Sequence, residues 1–369
     1  MKSTAIPLRS PLVPGLLADL HGRGARSNRE SRYLGNTHTT EPEFLDDTDG
    51  LPAALRTQVT LEQARSIISR NQSPDIPFDR SVNPYRGCEH GCVYCYARPT
   101  HAYLGLSPGI DFETRLYAKE NAAELLDREL RRPGYAPALL ALGANTDPYQ
   151  PIEREHRITR SVLETLAAFR HPVSITTKSA LVTRDIDILQ DLAREGLVRV
   201  WFSVATLDRP IARTLEPRAS TPGRRLAALR ALREAGIPCG VIVAPIIPAL
   251  TDSSLENVLE AAAHAGADQA SYVVLRLPLE VRDLFVEWLQ EHFPLRAAHV
   301  MSLIQQLRNG RDNQVEFGER MSGTGVFASL LRRRFDVACR RHGLNQERQA
   351  LSCGRFRVPE THGAQQSLF

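Results

Sequence analysis

The chain has 369 residues, of which 42% are hydrophobic and 24% charged, with six cysteines and a formal net charge of +4. This composition is typical of a globular protein and excludes low-complexity and collagen-like classes. No apolar run approaches the roughly 20 residues that span a bilayer, so we expect a cytoplasmic protein without a membrane segment.

The N-terminal part of the chain lacks a sustained hydrophobic period. Residues 1–50 are polar and dotted with glycine, which predicts a disordered tail because too little apolar surface is available for burial. Residues 51–79 are predicted to form a helical lead-in, with LEQARSIISR as the most helical stretch.

From residue 80 onward, short apolar runs rich in β-branched residues alternate with longer segments of helical period. The runs lie at 79–84, 138–144, 172–178, 199–206, 239–246 and 270–277. Such alternation predicts an α/β fold with a parallel sheet covered by helices. Six units are too few for a closed eight-stranded barrel, so we predict a partial (βα)6 TIM-like barrel over 80–292 and a basic, mainly helical extension over 293–369.

The loop after the first of these strands contains half of the cysteines, in the sequence YRGCEHGCVYCYAR. Cys88, Cys92 and Cys95 are too few for two disulfides, and they leave a four-iron cluster one protein sulfur short. The open iron would accept a chelating ligand, and the amino and carboxylate groups of S-adenosylmethionine suit it. The alternative is a zinc or redox site, for which His90 and His101 are candidate ligands.

The pattern Cys-x3-Cys-x2-Cys followed by an aromatic residue resembles that of the radical S-adenosylmethionine (SAM) superfamily. Together with NTDPYQPIE and ITTKS, the loop resembles the spore-photoproduct-lyase-like, DNA-repair-photolyase-related branch, over roughly residues 75–290. The resemblance implies a [4Fe-4S] cluster on the three cysteines and reductive cleavage of S-adenosylmethionine to a 5′-deoxyadenosyl radical, which abstracts hydrogen from a substrate. It also implies a reductant such as flavodoxin or ferredoxin.

The resemblance further implies cofactor contacts at the carboxyl ends of the first strands. Tyr96, directly after the last motif cysteine, is expected to contact the adenine. Asn145, Thr146 and Asp147 follow the second strand and would supply acceptors for the cofactor's amino group. A role in the turn alone is the alternative for these three residues.

Later strand ends supply the remaining candidates. Lys178 and Ser203 stand where carboxylate and ribose contacts are expected from the resemblance, and Pro245 and Ile246 are expected to pack against the adenine. Each of these residues could instead be an ordinary solvated, capping or core residue.

The hydrogen donor is one point at which the sequence departs from the family. The lyase uses a cysteine beside the second-strand motif, whereas residues 138–151 contain none. Cys353, in a glycine-bearing loop, is therefore the candidate redox or hydrogen-donor residue, whereas Cys239 and Cys339 are predicted to be core residues.

The basic C-terminal third suggests nucleic acid as a substrate or partner. Residues 296–358 contain 12 Arg against 5 Asp and Glu. The segment LLRRRFDVACRRHG is predicted to place Arg333, Arg334, Arg340 and Arg341 along one helix, with Leu330, Leu331, Phe335 and Ala338 turned to the core. The alternatives are a solvated helical face and, for the whole protein, a metal-knuckle nucleic-acid-binding protein or a non-catalytic iron–sulfur carrier.

Overall fold

A seven-stranded sheet forms the centre of the computed structural model, which describes residues 22–33, 56–347 and 350–360. Six neighbouring strands run parallel in the order β10-β9-β8-β7-β6-β3, and β2 pairs antiparallel with β3 at one edge. A second sheet of three strands has the order β1-β5-β4. In chain order the strands are β1 (Gln58–Glu62), β2 (Ile68–Arg70), β3 (Arg80–Val82), β4 (Tyr85–Arg86), β5 (Arg115–Lys119), β6 (Leu140–Leu142), β7 (Val173–Thr177), β8 (Val198–Ser203), β9 (Cys239–Ile246) and β10 (Gln269–Val274).

Helices follow the strands of the large sheet and cover it. In chain order they are α1 (Asp111–Thr114), α2 (Ala122–Leu130), α3 (Glu153–His156), α4 (Ile158–Ala168), α5 (Ile186–Arg194), α6 (Arg209–Leu215), α7 (Pro222–Glu234), α8 (Leu255–His264), α9 (Val281–His292), α10 (Pro294–Leu307) and α11 (Gly325–Arg341). Short 3-10 helices lie at Arg98–Leu104, Ala180–Asp185 and Asp252–Ser254. Within the described ranges, no helix is both long and apolar enough to cross a membrane.

The helices bury one apolar face each. Helix α5, for example, packs Ile188, Leu189 and Leu192 into the core, as its three- and four-residue apolar spacing predicts. Helix α6 begins where the side chain of Asp208 accepts a hydrogen bond from the Ile211 N–H, which satisfies one of the unpaired donors of the first turn. The predicted α/β fold with a parallel sheet and a helical C-terminal part is confirmed.

The helical lead-in predicted within 51–79 is wrong, because the segment forms strands β1 and β2. Strand β1 pairs parallel with β5, and the Glu129 carboxylate accepts the N–H groups of Ile67 and Ile68. β-Branched residues and distant pairing partners therefore outweigh the local helical pattern.

The predicted disorder of residues 1–50 is wrong for 22–33, which pack against the body of the protein; the rest of that prediction lies outside the described residues. Arg29, for example, forms ion pairs with Asp283 at 2.6 Å and Glu287 at 2.7 Å on α9.

Two details of the predicted C-terminal helix also differ. Leu330 is 49% exposed rather than buried, whereas Leu331, Phe335 and Ala338 reach the core as expected. Arg334 turns back toward α8 and binds both carboxylate oxygens of Glu256 at 2.7 Å, so it does not belong to the exposed basic face.

Candidate active site

The cysteine loop follows β4 at the carboxyl end of the parallel sheet. Cys88 and Cys92 are buried, Cys95 is partly buried, and all three are free thiols. The loop begins at Gly87, whose φ of +74° is costly for residues with a side chain. A Cβ at this position would also lie 2.5 Å from Leu116 Cδ2, so the entry to the loop requires glycine.

A buried glutamine fixes the backbone on both sides of Cys88. The Gln150 side chain accepts the Glu89 N–H at 2.9 Å and donates to the Gly87 carbonyl at 3.2 Å. The Cys88 N–H itself donates to the Phe112 carbonyl at 2.9 Å. These three backbone groups all have partners inside the protein, so the first thiol has a defined position.

A fully buried ion pair holds the middle of the loop. Arg98 donates to the Cys92 carbonyl at 2.9 Å and the Gly91 carbonyl at 3.1 Å, and it pairs with Glu113 at 2.5 Å. Both side chains of the pair have no solvent exposure. The Arg98 guanidinium therefore stabilises the loop through its carbonyls, and Glu113 balances the charge of Arg98.

Residues 22–33, here called the N-terminal strap, attach to the same ion pair. Glu113 Oε2 accepts the N–H groups of Arg23 at 2.8 Å and Gly24 at 3.0 Å, and Oε1 accepts the Ala25 N–H at 2.7 Å. The strap lies so close to the cysteine loop that a Cβ on Gly24 would be 1.8 Å from the Gly91 carbonyl oxygen. The strap thus covers one side of the loop.

A second buried ion pair lies beneath the other side of the loop. Glu216 accepts hydrogen bonds from the Tyr94 hydroxyl and from Arg225, which also donates to the Ser203 carbonyl at 2.7 Å. Burial alone would raise the pKa of Glu216, but the positive charges of Arg225 and Lys178 outweigh it, and the pKa lies below its ordinary value. The Lys178 ammonium lies 5.9 Å from the centre of the Tyr94 ring.

Asp147 joins two strand ends to the cysteine loop. The Asp147 Oδ1 atom accepts hydrogen bonds from the Thr177 hydroxyl at 2.7 Å and from the Tyr149 N–H at 2.9 Å. The Oδ2 atom accepts a hydrogen bond from the Lys178 N–H at 2.7 Å and lies 3.4 Å from His90 Nδ1. Burial raises its pKa, but His90 and the hydrogen bonds lower it further, to about 2. Both carboxylate oxygens already have protein partners, which leaves little capacity for the cofactor amine that the resemblance assigned to this residue.

The other candidates after β6 bind the turn that carries the cysteine loop. The Thr146 hydroxyl donates to the Tyr85 carbonyl at 2.9 Å, and the Asn145 N–H donates to the Asn83 side chain at 3.0 Å. Tyr96 is 47% exposed, and its hydroxyl donates to the Ala144 carbonyl. The structure therefore brings Tyr96, Asn145 and Thr146 together at the end of β6.

The candidates from β8 and β9 are less accessible. The Ser203 hydroxyl is buried and donates to the Ala244 carbonyl at 3.2 Å. Pro245 is also buried, and its carbonyl accepts the Thr251 hydroxyl at 3.0 Å. Ile246 is fully buried in the hydrophobic cluster that includes residues of α8 and α11, which places it in the core rather than against an adenine.

Cys353 does not join this group. The N–H of its neighbour Ser352 donates to the Gly196 carbonyl, in the turn that leads into β8, at 3.1 Å. Parallel strands begin at one end of the sheet and finish at the other, so Cys353 lies at the end opposite the cysteine loop. This position does not support the predicted role as hydrogen donor.

The two histidines proposed for zinc have other partners. His101 is fully buried and its Nε2 bonds the Arg115 carbonyl at 2.9 Å, while His90 faces Asp147. In the part of the chain that the structure describes, no three Cys, His or acidic side chains converge as the ligands of one metal ion would. The corners of a four-iron cluster are separate irons, so three thiols that each bind one iron need no common point.

Burial keeps the Cys88 and Cys92 thiols protonated in the absence of a metal. It raises the pKa of Cys92 to about 12 and that of Cys88 well above its ordinary value. A buried metal centre that takes thiolates would therefore displace the protons as it binds.

Comparison with known proteins identifies this part of the chain. Residues 82–262 match the family model described as the radical SAM superfamily. The chain carries a radical SAM domain. The matched segment runs from the end of β3 to α8, so it contains the cysteine loop and Asp147.

Curated relatives share part of the chain with this protein. It is 42% identical to an uncharacterized protein of Mycobacterium tuberculosis over 221 residues, which are 59% of this chain and 65% of that protein. It is 29% identical to an uncharacterized protein of Methanocaldococcus jannaschii over 171 residues, which are 46% of this chain and 61% of that protein. The matches thus span less than two thirds of either relative.

A solved structure of spore photoproduct lyase complexed with dinucleoside spore photoproduct shares the fold. It is 17% identical, has a TM-score of 0.56, and the match covers 78% of this chain and 80% of that chain.

Several residues that build the site were missed by the sequence analysis: Tyr94, Arg98, Glu113, Gln150, Glu216 and Arg225. Gln150 lies inside the quoted stretch NTDPYQPIE, so the motif itself contained a signal for it. Arg98 likewise ends the stretch YRGCEHGCVYCYAR, but its partner Glu113 and the pair of Glu216 and Arg225 gave no signal, because arginine and glutamate are ordinary residues of exposed helices and loops.

Proposed function

We propose that the protein is an iron–sulfur enzyme that uses S-adenosylmethionine to abstract hydrogen from its substrate. The observation that supports the proposal is the cysteine loop: three free thiols within the radical SAM domain, at the carboxyl end of a parallel sheet. In parallel α/β enzymes this end carries the catalytic residues. A carrier protein or a metal knuckle would not need a loop built into such a sheet.

The three thiols are the proposed ligands of a [4Fe-4S] cluster, at Cys88, Cys92 and Cys95. When bound, the cluster and S-adenosylmethionine supply an electron and a 5′-deoxyadenosyl radical. Gln150 and Arg98 hold the loop backbone so that the thiols keep their positions.

The residues proposed to contact the cofactor are those at the accessible strand ends. Tyr96 and Asn145 lie together at the end of β6, next to Thr146, which is buried with its hydroxyl on the Tyr85 carbonyl. Lys178 follows β7 with its ammonium beside Tyr94. The lysine is the proposed partner of the cofactor's carboxylate. Asp147 acts indirectly, since it positions the Lys178 backbone and His90.

Iron and sulfide analysis of anaerobically purified protein tests this proposal. We expect one four-iron cluster, its loss in Cys88→Ala, Cys92→Ala and Cys95→Ala, and release of 5′-deoxyadenosine when dithionite and S-adenosylmethionine are added. Cys353→Ala is the matched control and should keep both the cluster and the cleavage. A colourless protein with stoichiometric zinc would contradict the proposal.

We further propose that the enzyme works in the cytoplasm with a reductant such as flavodoxin or ferredoxin, and that nucleic acid is its first candidate substrate. The observation that favours nucleic acid is the exposure of Arg333, Arg340 and Arg341 along α11. Such a face would bind phosphates without reading sequence.

A further inference from the structure

Three arginines surround the end of β10, the last strand of the sheet. Arg276 follows this strand, Arg308 directly follows α10, and Arg320 lies in the loop between α10 and α11. The Arg276 guanidinium lies 5.6 Å from the centre of the Tyr96 ring, next to the last motif cysteine. The arginines therefore border the candidate active site.

Arg276 lacks a partner that matches its charge. Its Nε is buried without a hydrogen-bond partner, and its Nη1 has the Met321 sulfur at 4.0 Å. Within the described ranges it forms no ion pair. Arg276 is partly exposed, but its buried Nε is costly to leave without a partner, so the residue is rarely kept for packing alone.

The neighbouring arginines do not relieve this excess of positive charge. Arg308 is fully buried and donates to the carbonyls of four residues, Val274, Leu275, Glu319 and Arg320. The carbonyls bind its two Nη groups, its Nε is buried without a partner, and nothing among the described residues cancels its charge. Burial, and then the charge of Arg276, lower the pKa of Arg308 to about 10.

Arg320 alone has a carboxylate. It binds Asp75 through two hydrogen bonds of 2.6 Å each. Among the described residues, Asp75 is the carboxylate that pairs with one of these three arginines, so three guanidiniums share one negative charge. The remaining positive charge lies beside Tyr96.

We propose that Arg276 binds an oxyanion of the substrate, a phosphate or a carboxylate, at the end of β10. The proposal rests on the proposed function, because it takes the cysteine loop as the place of reaction. The planar guanidinium suits either oxyanion, and its buried Nε points to a partner brought in by the ligand. Lys178, which follows β7 and whose charge acts on Cys92, is a separate cation for the cofactor.

The test uses the full chain with its cluster, and inorganic pyrophosphate as the probe. Anaerobic titration calorimetry measures pyrophosphate binding with and without saturating S-adenosylmethionine, and cofactor binding by itself. We expect Arg276→Gln to weaken pyrophosphate binding by about tenfold or more while cofactor affinity is unchanged. Arg276→Lys should retain part of the affinity.

Arg194→Gln is the control, because this arginine is 65% exposed near the start of β8, at the opposite end of the sheet. It should leave pyrophosphate binding unchanged. Removal of a partly exposed cation that has no ion pair in the described part of the chain should not lower the melting temperature, so a folding defect in Arg276→Gln would be detected by thermal unfolding, separately from the loss of binding.

Two results would overturn the proposal. One is that the wild type does not bind pyrophosphate at millimolar concentration, or that Arg276→Gln binds it equally well. The other is that pyrophosphate competes with S-adenosylmethionine and the substitution weakens the cofactor, which would assign Arg276 to the cofactor's carboxylate. Failure of the proposed function would be distinguished from failure of the Arg276 proposal, because iron, sulfide and 5′-deoxyadenosine are measured on the same preparations.

Discussion

Replacement of Glu113 by glutamine tests whether the buried Arg98–Glu113 pair holds the cysteine loop and the N-terminal strap together. Each Glu113 oxygen accepts two donors: Oε2 from the N–H groups of Arg23 and Gly24, and Oε1 from the Ala25 N–H and Arg98. A glutamine keeps the shape but turns one of these oxygens into an NH2 group. Whichever way the amide is oriented, its NH2 group then faces the two donors that were hydrogen-bonded to the replaced oxygen.

The magnitude follows from burial. Neither Arg98 nor Glu113 has solvent exposure, and removal of one partner of a buried pair costs roughly 3–5 kcal/mol. The loss of two hydrogen bonds to a charged acceptor, at about 1.5–3 kcal/mol each, gives about 3–6 kcal/mol, which overlaps that range. Since domains are stable by about 5–15 kcal/mol, Glu113→Gln should remove a large part of the total.

Urea unfolding of the wild type and Glu113→Gln measures this difference, and iron content reports on the loop. Glu287→Gln is the matched control, because Glu287 also binds the strap, through Ser27 at 2.8 Å and Arg29 at 2.7 Å, but is 26% exposed. It should cost less than about 1 kcal/mol. A loss for Glu113→Gln as small as that of Glu287→Gln, with unchanged iron content, would refute the reasoning.

Three further predictions concern charge. Burial lowers the pKa of His171 from 6.5 to about 4, so the unfolded state takes up a proton at a higher pH than the folded state does. About 3 kcal/mol of the free energy of unfolding should therefore be lost as the pH falls from about 6.5 to 4. His171→Gln should remove this decline when unfolding is measured as a function of pH, and an identical decline in both proteins would contradict the prediction. Asp147→Asn should lower the free energy of unfolding by about 1.5–3 kcal/mol because an amide replaces a carboxylate that accepts buried donors; unchanged stability with weaker S-adenosylmethionine binding would favour a direct contact instead. Arg333→Ala/Arg340→Ala should weaken binding of a labelled oligonucleotide and reduce its log–log salt slope by about two, whereas indifference to both changes would leave a solvated helical face.

The strands of the large sheet were largely predictable because their signal is local and continuous. The run CGVIVAPI is apolar throughout and forms β9 over Cys239–Ile246, as the sequence predicts. Strands β1 and β2 were not predicted: QVTLE alternates polar and apolar residues, but it is short, it overlaps the helical pattern of LEQARSIISR, and the β1 partner β5 lies far along the chain. Their identity depends on pairing that only the folded chain supplies.

The candidate site shows the same division between local and distant signals. The cysteine spacing is local, so the loop could be recognised from the sequence. The direction of Ile246 could not, because the register at the end of a strand, after Pro245, decides whether the side chain meets the core or the site. Likewise, nothing near Glu113 in the sequence indicates that its partners are Arg98 and the backbone of residues 23–25.

The ion pair between Asp75 and Arg320 has a consequence for how large molecules reach the site. Asp75 lies in the loop between β2 and β3, and Arg320 adjoins Met321, whose carbonyl accepts the Val274 N–H of β10 at 2.8 Å. The two borders of the open sheet are thus joined by side chains instead of a ladder of backbone bonds. Separation at this seam would leave every strand pair intact, so a bulky or polymeric molecule that enters from the side has to break this ion pair, whose side chains are only 15% and 8% exposed and are therefore screened little by salt.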